Sequence, residues 1–222
     1  MFPLEKRVTV VCGHYGTGKT NLSINLALDC ARRGEEVTLV DMDVVNPYFR
    51  SADYSDLLES EGVRVIGPNF ANTNLDTPSL PGSARVAIEE GGRVIVDVGG
   101  DDAGATALGM YAGTLEGSDP DVLYVVNMYR SLTTRPEEAV GILREIEAAA
   151  RIRVTGLVNN SHLKQDTVAD TVLGSMGFAD EVSRATGLPL RFTTAPRQVA
   201  VDLLNKVPNI YPVDVCVRAP WE

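Results

Sequence analysis

The chain has 222 residues, enough to bury one sizeable core, and is read as a single domain over residues 1–222. Its composition, 44% hydrophobic and 23% charged, is that of a soluble globular protein. The net charge of -10 argues against non-specific coating of nucleic acid, so DNA is disfavoured as a partner, and no apolar run is long enough to span a bilayer.

The N-terminal MFPLEKRVTVVCG lacks a signal-peptide pattern, and the C-terminal NIYPVDVCVRAPWE lacks a basic amphipathic helix. No membrane association is therefore expected. Three scattered cysteines, Cys12, Cys30 and Cys216, fit a reducing cytoplasm rather than a disulfide framework.

Along the chain, apolar runs alternate with helical patterns. RVTVVC (7–12) reads as a buried strand that feeds a glycine-rich loop. TNLSINLALDCARR (20–33) sets Leu22, Leu26 and Ala27 on one helical face, with Gly34 as the stop. Further strands are expected at 36–41, 63–67, 93–100, 121–127, 152–160 and 188–194. A helix is expected over 135–150, with Pro136 in its first turn. Strands rich in Val, Ile and Leu, separated by helices, imply an α/β fold: a doubly wound, mostly parallel sheet with helices on both faces. Ligands of such sheets bind at the carboxyl ends of the strands. The stretch from Gly67 to Ser83 has no period and reads as a long loop.

GHYGTGKT, from Gly13 to Thr20, matches the phosphate-loop pattern G-x-x-x-x-G-K-T between a strand and a helix. The sheet is thereby expected to be that of a P-loop NTPase. Glycines let backbone N–H groups face phosphate oxygens, and the helix N-terminus adds a favourable dipole. Lys19 is expected to reach the outer phosphates and Thr20 to bind Mg²⁺. The nucleotide contacts expected from this loop are Gly13, His14, Tyr15, Gly16, Thr17, Gly18, Lys19, Thr20 and Asn21. Asp41, Asp43 and Asp97 lie at strand ends, where a carboxylate can serve Mg²⁺ or water, and Gly100 can offer its N–H to a γ-phosphate.

GHYGTGKT, LVDMDVVNPYFRS, VIVDVGGDDAG and GLVNN together resemble the MinD/ParA-type (CobQ/CobB/MinD/ParA) P-loop ATPases of the SIMIBI class, over nearly the whole chain. The resemblance implies Mg-ATP as ligand, with Lys19 and Asp43 catalytic, Asp43 positioning the hydrolytic water. It implies Thr20 as a Mg²⁺ ligand, Asp41 and Asp97 as carboxylates that hold the ion through its water ligands, Gly100 in a nucleotide-sensing segment, and Asn160 as reader of the base. Asn159 is the alternative reader. Pro196 and Arg197 are implied around the base edge. The class includes nucleotide-driven switches that act as homodimers on a protein partner, and small-molecule ligases such as dethiobiotin synthetase.

Two departures stand out. Where MinD/ParA proteins typically carry a second Lys that reaches a partner's phosphates, this chain has His14, which predicts slow hydrolysis. The cysteines do not form the pairs used to bridge a metal cluster. Neither Asn159 nor Asn160 is followed three residues later by a carboxylate, so ATP is favoured over GTP. VNPYFRS (45–51) and NMYRS (127–131) combine aromatics with arginine near the ligand edge, a composition suited to a partner surface. The preferred reading is a nucleotide switch acting on a protein; the alternative is a phosphotransferase or ligase for a small molecule.

Overall fold

The structure, a computed structural model, describes residues 3–43, 51–68 and 82–217. Eight strands form one sheet: β1 (Val8–Cys12), β2 (Val37–Asp41), β3 (Val63–Ile66), β4 (Arg93–Asp97), β5 (Asp121–Val126), β6 (Gly156–Asn159), β7 (Leu190–Pro196) and β8 (Ile210–Val213). Their order is β3-β2-β4-β1-β5-β6-β7-β8, and every pairing is parallel. The expected mostly parallel sheet is thus wholly parallel among the described residues.

Parallel strands need long crossovers, and the helices that supply them cover both faces. Helix α1 (Lys19–Arg32) and α2 (Ser55–Ser60) lie on one face. Helices α3 (Gly82–Glu89), α4 (Asp102–Gly109), α5 (Ala112–Gly117), α6 (Pro136–Ala150) and α8 (Met176–Thr186) lie on the other. The short α7 (Ala169–Gly174) and α9 (Arg197–Leu203) close a small third cluster beside β7 and β8. Strand β1 shows why the sequence run is continuous. Val8, Val10 and Cys12 enter one core and Val11 the other, and all are buried. Leu22, Leu26 and Ala27 are fully buried, as their helical spacing predicts.

The eighth strand departs from expectation. Ile210–Val213 carries Pro212, which lacks the N–H that a central strand requires, so the segment does not read as a strand. It is tolerated because β8 is an edge strand, paired only with β7. The expected strand 152–160 is trimmed to 156–159, and that at 188–194 runs on to Pro196. The irregular stretch 67–83 gives way to α3 at Gly82, while 69–81 lies outside the described residues, as do 45–50 of VNPYFRS.

The chain fills β1, β2, β3 and β4 on one side, then crosses to β5 on the far side of β1. The sheet therefore reverses its winding at β1, and the crevice above the carboxyl ends there is where such folds hold ligands.

Candidate nucleotide site

The loop from Gly13 to Gly18 leaves β1 at that reversal point and enters α1 at Lys19. Gly13 has φ of 147°, and a Cβ there would lie 2.5 Å from the Val125 carbonyl oxygen. Only glycine lets the loop start this close to β5. Gly18 has φ of 89°, and its missing side chain makes room for Asn160. The loop folds on the His14 carbonyl, which accepts from Thr17 Oγ1 at 2.9 Å and from Lys19 Nζ at 3.0 Å.

Lys19 is buried, and burial holds its ammonium below its ordinary pKa; Asp97 and Asp43 oppose that shift. Thus one desolvated cation stands at the N-terminus of a helix, where an anion is favoured. A cavity of about 380 Å³ opens over it. Tyr15, Gly16, Gly18, Lys19, Thr20, Asp43 and Gly100 line the end above the loop. Asn160, His162, Lys164, Val215 and Val217 also line it, with Asn21, Asn127 and Arg130.

Asp97 is the carboxylate that fits a metal. It is buried at the end of β4, and Ser23 Oγ, one turn beyond Thr20, donates to its Oδ1 at 3.1 Å. Its Oδ2 is buried with no hydrogen-bond partner. Burial raises its pKa, Asp41 raises it further, and Lys19, Thr20 and Ser23 act the other way. An orphaned carboxylate oxygen near a helix hydroxyl and phosphate loop suits Mg²⁺ or its water ligands. Among the described residues no group of three acidic, His or Cys side chains could cage a metal.

Asp41 makes backbone contacts that the sequence did not announce. It stands beside Asp97 in the sheet register, but its two oxygens accept the N–H groups of Asp43 and Ala52, each at 2.9 Å. Burial raises its pKa against those hydrogen bonds. Its carboxylate anchors both ends of the segment that leaves with Asp43 and returns at Ala52. Asp43 lies in the cavity wall, 3.3 Å from where a Cβ on Gly99 would sit.

The base-side expectations divide. Asn160 is in the wall, but its amide is engaged: Nδ2 donates to the Thr17 carbonyl at 2.6 Å, and Oδ1 accepts from Thr194 Oγ1. Asn159 points to the other side of β6 and donates to Ser175 Oγ at 2.9 Å, so it is a core residue. Pro196 and Arg197 do not line the cavity. Arg197 is drawn away by a two-pronged pairing with Asp214, at 3.1 and 3.0 Å. The wall expected there is built instead by the segment after β8. Asn21 Oδ1 accepts from the N–H groups of Cys216 and Val217, its Nδ2 donates to the Asp214 carbonyl, and Val215 and Val217 face the cavity.

Sequence reasoning missed Asn127, His162, Lys164, Val215 and Val217 as lining residues. Asn127 ends β5, so its position at the ligand edge was a usable signal; the two valines carry none. His162 is nearly fully buried. Its Nδ1 accepts from the Lys164 N–H at 3.2 Å, and its Nε2 has no partner. Burial, with Arg130 nearby, pushes its pKa down to about 4. His14 is also held neutral at physiological pH, by burial and then by Lys19. The three thiols are unpaired; Cys12 and Cys30 are buried and pushed up to about 12, so neither is a reactive thiolate.

The phosphate loop at the sheet reversal, the strand-end carboxylates and the wholly parallel sheet define the fold of a P-loop NTPase. The chain belongs to the CobQ/CobB/MinD/ParA nucleotide-binding domain family, whose model matches residues 8–187. Among solved structures it is similar to the cell division protein FtsY from Thermotoga maritima, with 19% identity and a TM-score of 0.59 over 87% of this chain and 63% of that one. It is also similar to FtsY from Elizabethkingia anophelis in complex with GDP, with 18% identity and a TM-score of 0.57 over 86% and 58%. The signal recognition particle 54 kDa protein from Aeropyrum pernix, also with GDP, has 18% identity and a TM-score of 0.55 over 86% and 42%. The chain thus spans less than two thirds of each of these structures. At such identities the likeness is one of fold. A search of curated proteins returned no match.

Proposed function

We propose that the protein binds Mg-ATP in this cavity and hydrolyses it slowly, as a switch that acts on a protein partner. The observation that carries this reading is the cavity wall itself, in which Lys19, Thr20, Asp43 and Gly100 surround one space beside the unsatisfied Asp97 oxygen. Mg²⁺ would be held by Thr20 and, directly or through water, by Asp97; bound there, it would neutralise charge on the β- and γ-phosphates. Lys19 binds the outer phosphates, and Gly100 presents backbone beside Lys19 and Tyr15. Asp43 is placed to orient the attacking water.

ATP is preferred over GTP on a specific ground. Among the described residues, the cavity is lined by one carboxylate, Asp43 beside the phosphate loop, and none stands with Asn160, His162, Lys164, Val215 and Val217 to accept the N–H groups of guanine. The switch reading rests on how Asp43 is held. Asp41 accepts the backbone N–H groups of both Asp43 and Ala52, so a γ-phosphate that attracts or repels Asp43 acts on that hydrogen-bonded joint. A homodimer and a cytoplasmic setting complete the reading. No helix among the described residues is long and apolar enough to cross a membrane.

The test is solution mass by light scattering on Asp43→Ala, with Mg-ATP and with Mg-ADP. A mass that doubles only with ATP supports a nucleotide-driven dimer. One mass in both nucleotides removes the dimer cycle. Turnover that then appears only with a particular carboxylate or amine metabolite would favour the ligase reading.

A further inference from the structure

Arg130 lies in the turn after β5, and its stem covers the phosphate loop. A Cβ on Gly16 would sit 3.7 Å from Arg130 Cδ and 3.8 Å from Nε. The residue lines the same cavity as Lys19 and Thr20. Among the described residues no carboxylate pairs with its guanidinium. Arg130 is exposed at the cavity wall, so its charge stays hydrated in the empty protein and stands ready to meet an anion bound over Lys19.

The turn that carries it is braced from three sides. Asn127 Oδ1 accepts the Tyr129 N–H at 3.0 Å, and Thr133 Oγ1 donates to the Asn127 carbonyl at 2.9 Å. Ser161 Oγ accepts the Met128 N–H at 3.0 Å, and the Tyr129 hydroxyl donates to the Thr171 carbonyl at 2.6 Å. The arginine therefore projects from a fixed platform, which lowers the entropy cost of using it. Two imidazoles nearby do not compete for that charge. His14 is held neutral, and His162 presents an unpartnered Nε2 within the same wall.

We propose that Arg130 contacts the phosphate chain of the bound nucleotide from within the same protomer and stabilises the charge that develops on hydrolysis. It supplies the second cation that position 14 lacks. This rests on the nucleotide reading above. In the step concerned, a water oxygen forms a bond to the γ-phosphorus and the bond to the β–γ bridging oxygen breaks. The electron pair stays on the departing ADP, where the guanidinium meets it, and the protons of the water leave with the inorganic phosphate. No partner copy has to deliver the cation, so hydrolysis does not require a dimer.

The experiment compares the full chain with Arg130→Ala and Arg130→Lys. It reads the affinities for Mg-ATP, Mg-GTP, Mg-ADP and Mg-GDP, and single-turnover hydrolysis, across a salt series. Arg130→Ala should lower hydrolysis by about tenfold or more, a conservative share of what arginine fingers supply. It should also weaken triphosphate binding more than diphosphate binding and flatten its salt dependence. Arg130→Lys should restore affinity more than rate, because an ammonium lacks the planar fork. Unchanged affinities and rates in Arg130→Ala would overturn the inference and leave the nucleotide reading standing. A wild-type chain that binds none of the four nucleotides would overturn both. Binding of GTP in preference to ATP would overturn the choice of base alone, since the phosphates are common to both. The exposed, unpaired side chain predicts unchanged apo stability, so a collapse of apo stability in both variants would mark Arg130 as structural and overturn the inference.

Discussion

The Asn160 amide donates to the Thr17 carbonyl over 2.6 Å, joining the end of β6 to the middle of the phosphate loop. With Thr194 on its other side, the amide ties β6, β7 and the loop into one unit. Removing it takes the Asn160 donor from the Thr17 carbonyl and leaves the buried Thr194 hydroxyl only its long bond to the Asn159 carbonyl, at 3.5 Å. Asn160→Ala should cost on the order of 1–3 kcal/mol of stability, measurable by urea denaturation, and should weaken nucleotide binding through loosening of the loop.

Gly100 leaves no space for a side chain. A Cβ would lie 2.6 Å from Tyr15 Cα and 2.8 Å from Lys19 Nζ. Gly100→Ala must therefore push the loop or the lysine aside. We expect triphosphate affinity to fall by about tenfold or more, a loss of about 1.4 kcal/mol, in titrations with fluorescent analogues. Unchanged affinity would show that the loop moves freely at Tyr15.

Asp97 predicts a pH effect of definite sign. Its pKa is raised in the fold, so the folded chain holds a proton that the unfolded chain has released. Its contribution to stability is full below the ordinary carboxylate range and is lost as pH rises through the raised value. Asp97→Asn should therefore stabilise the nucleotide-free protein at neutral pH and remove that slope. The same variant should lose most of the Mg²⁺ dependence of nucleotide binding, read by calorimetry with and without the ion.

His162 acts in the opposite direction. It is neutral in the fold down to about pH 4, whereas the unfolded chain protonates it nearer its ordinary value. The charged group that acts on it is Arg130, and its Nδ1 accepts the backbone N–H of Lys164. Its contribution is full above about 6.5 and is lost as pH falls towards 4. His162→Gln should move the acid unfolding midpoint downward. An unmoved midpoint would assign the acid transition to other groups.

The sheet was legible because a strand of a parallel sheet is covered on both faces, and β1, β5 and β6, buried along their whole length, are mostly Val, Leu and other apolar residues. The loop was legible because its glycines are dictated by close approaches, to Val125 at Gly13 and to Asn160 at Gly18. What escaped depends on partners distant in sequence. The two amides that the Asp41 carboxylate accepts, those of Asp43 and Ala52, carry no signal in the sequence. Arg197 reads like a base contact until Asp214 is seen to hold it. Strand β8 hid behind its proline, and with it the segment that forms one wall of the cavity.

That wall has a consequence for how the protein is made. Asn21 holds the Asp214 carbonyl 193 positions further along the chain, and Val215 and Val217 finish the cavity. During synthesis the phosphate loop emerges early, while this clasp can close only after nearly all of the domain has left the ribosome. A nascent chain halted before Asp214 would present the loop without its enclosure. Tight capture of nucleotide should then begin only when the late segment docks, making nucleotide retention a readout of completed folding.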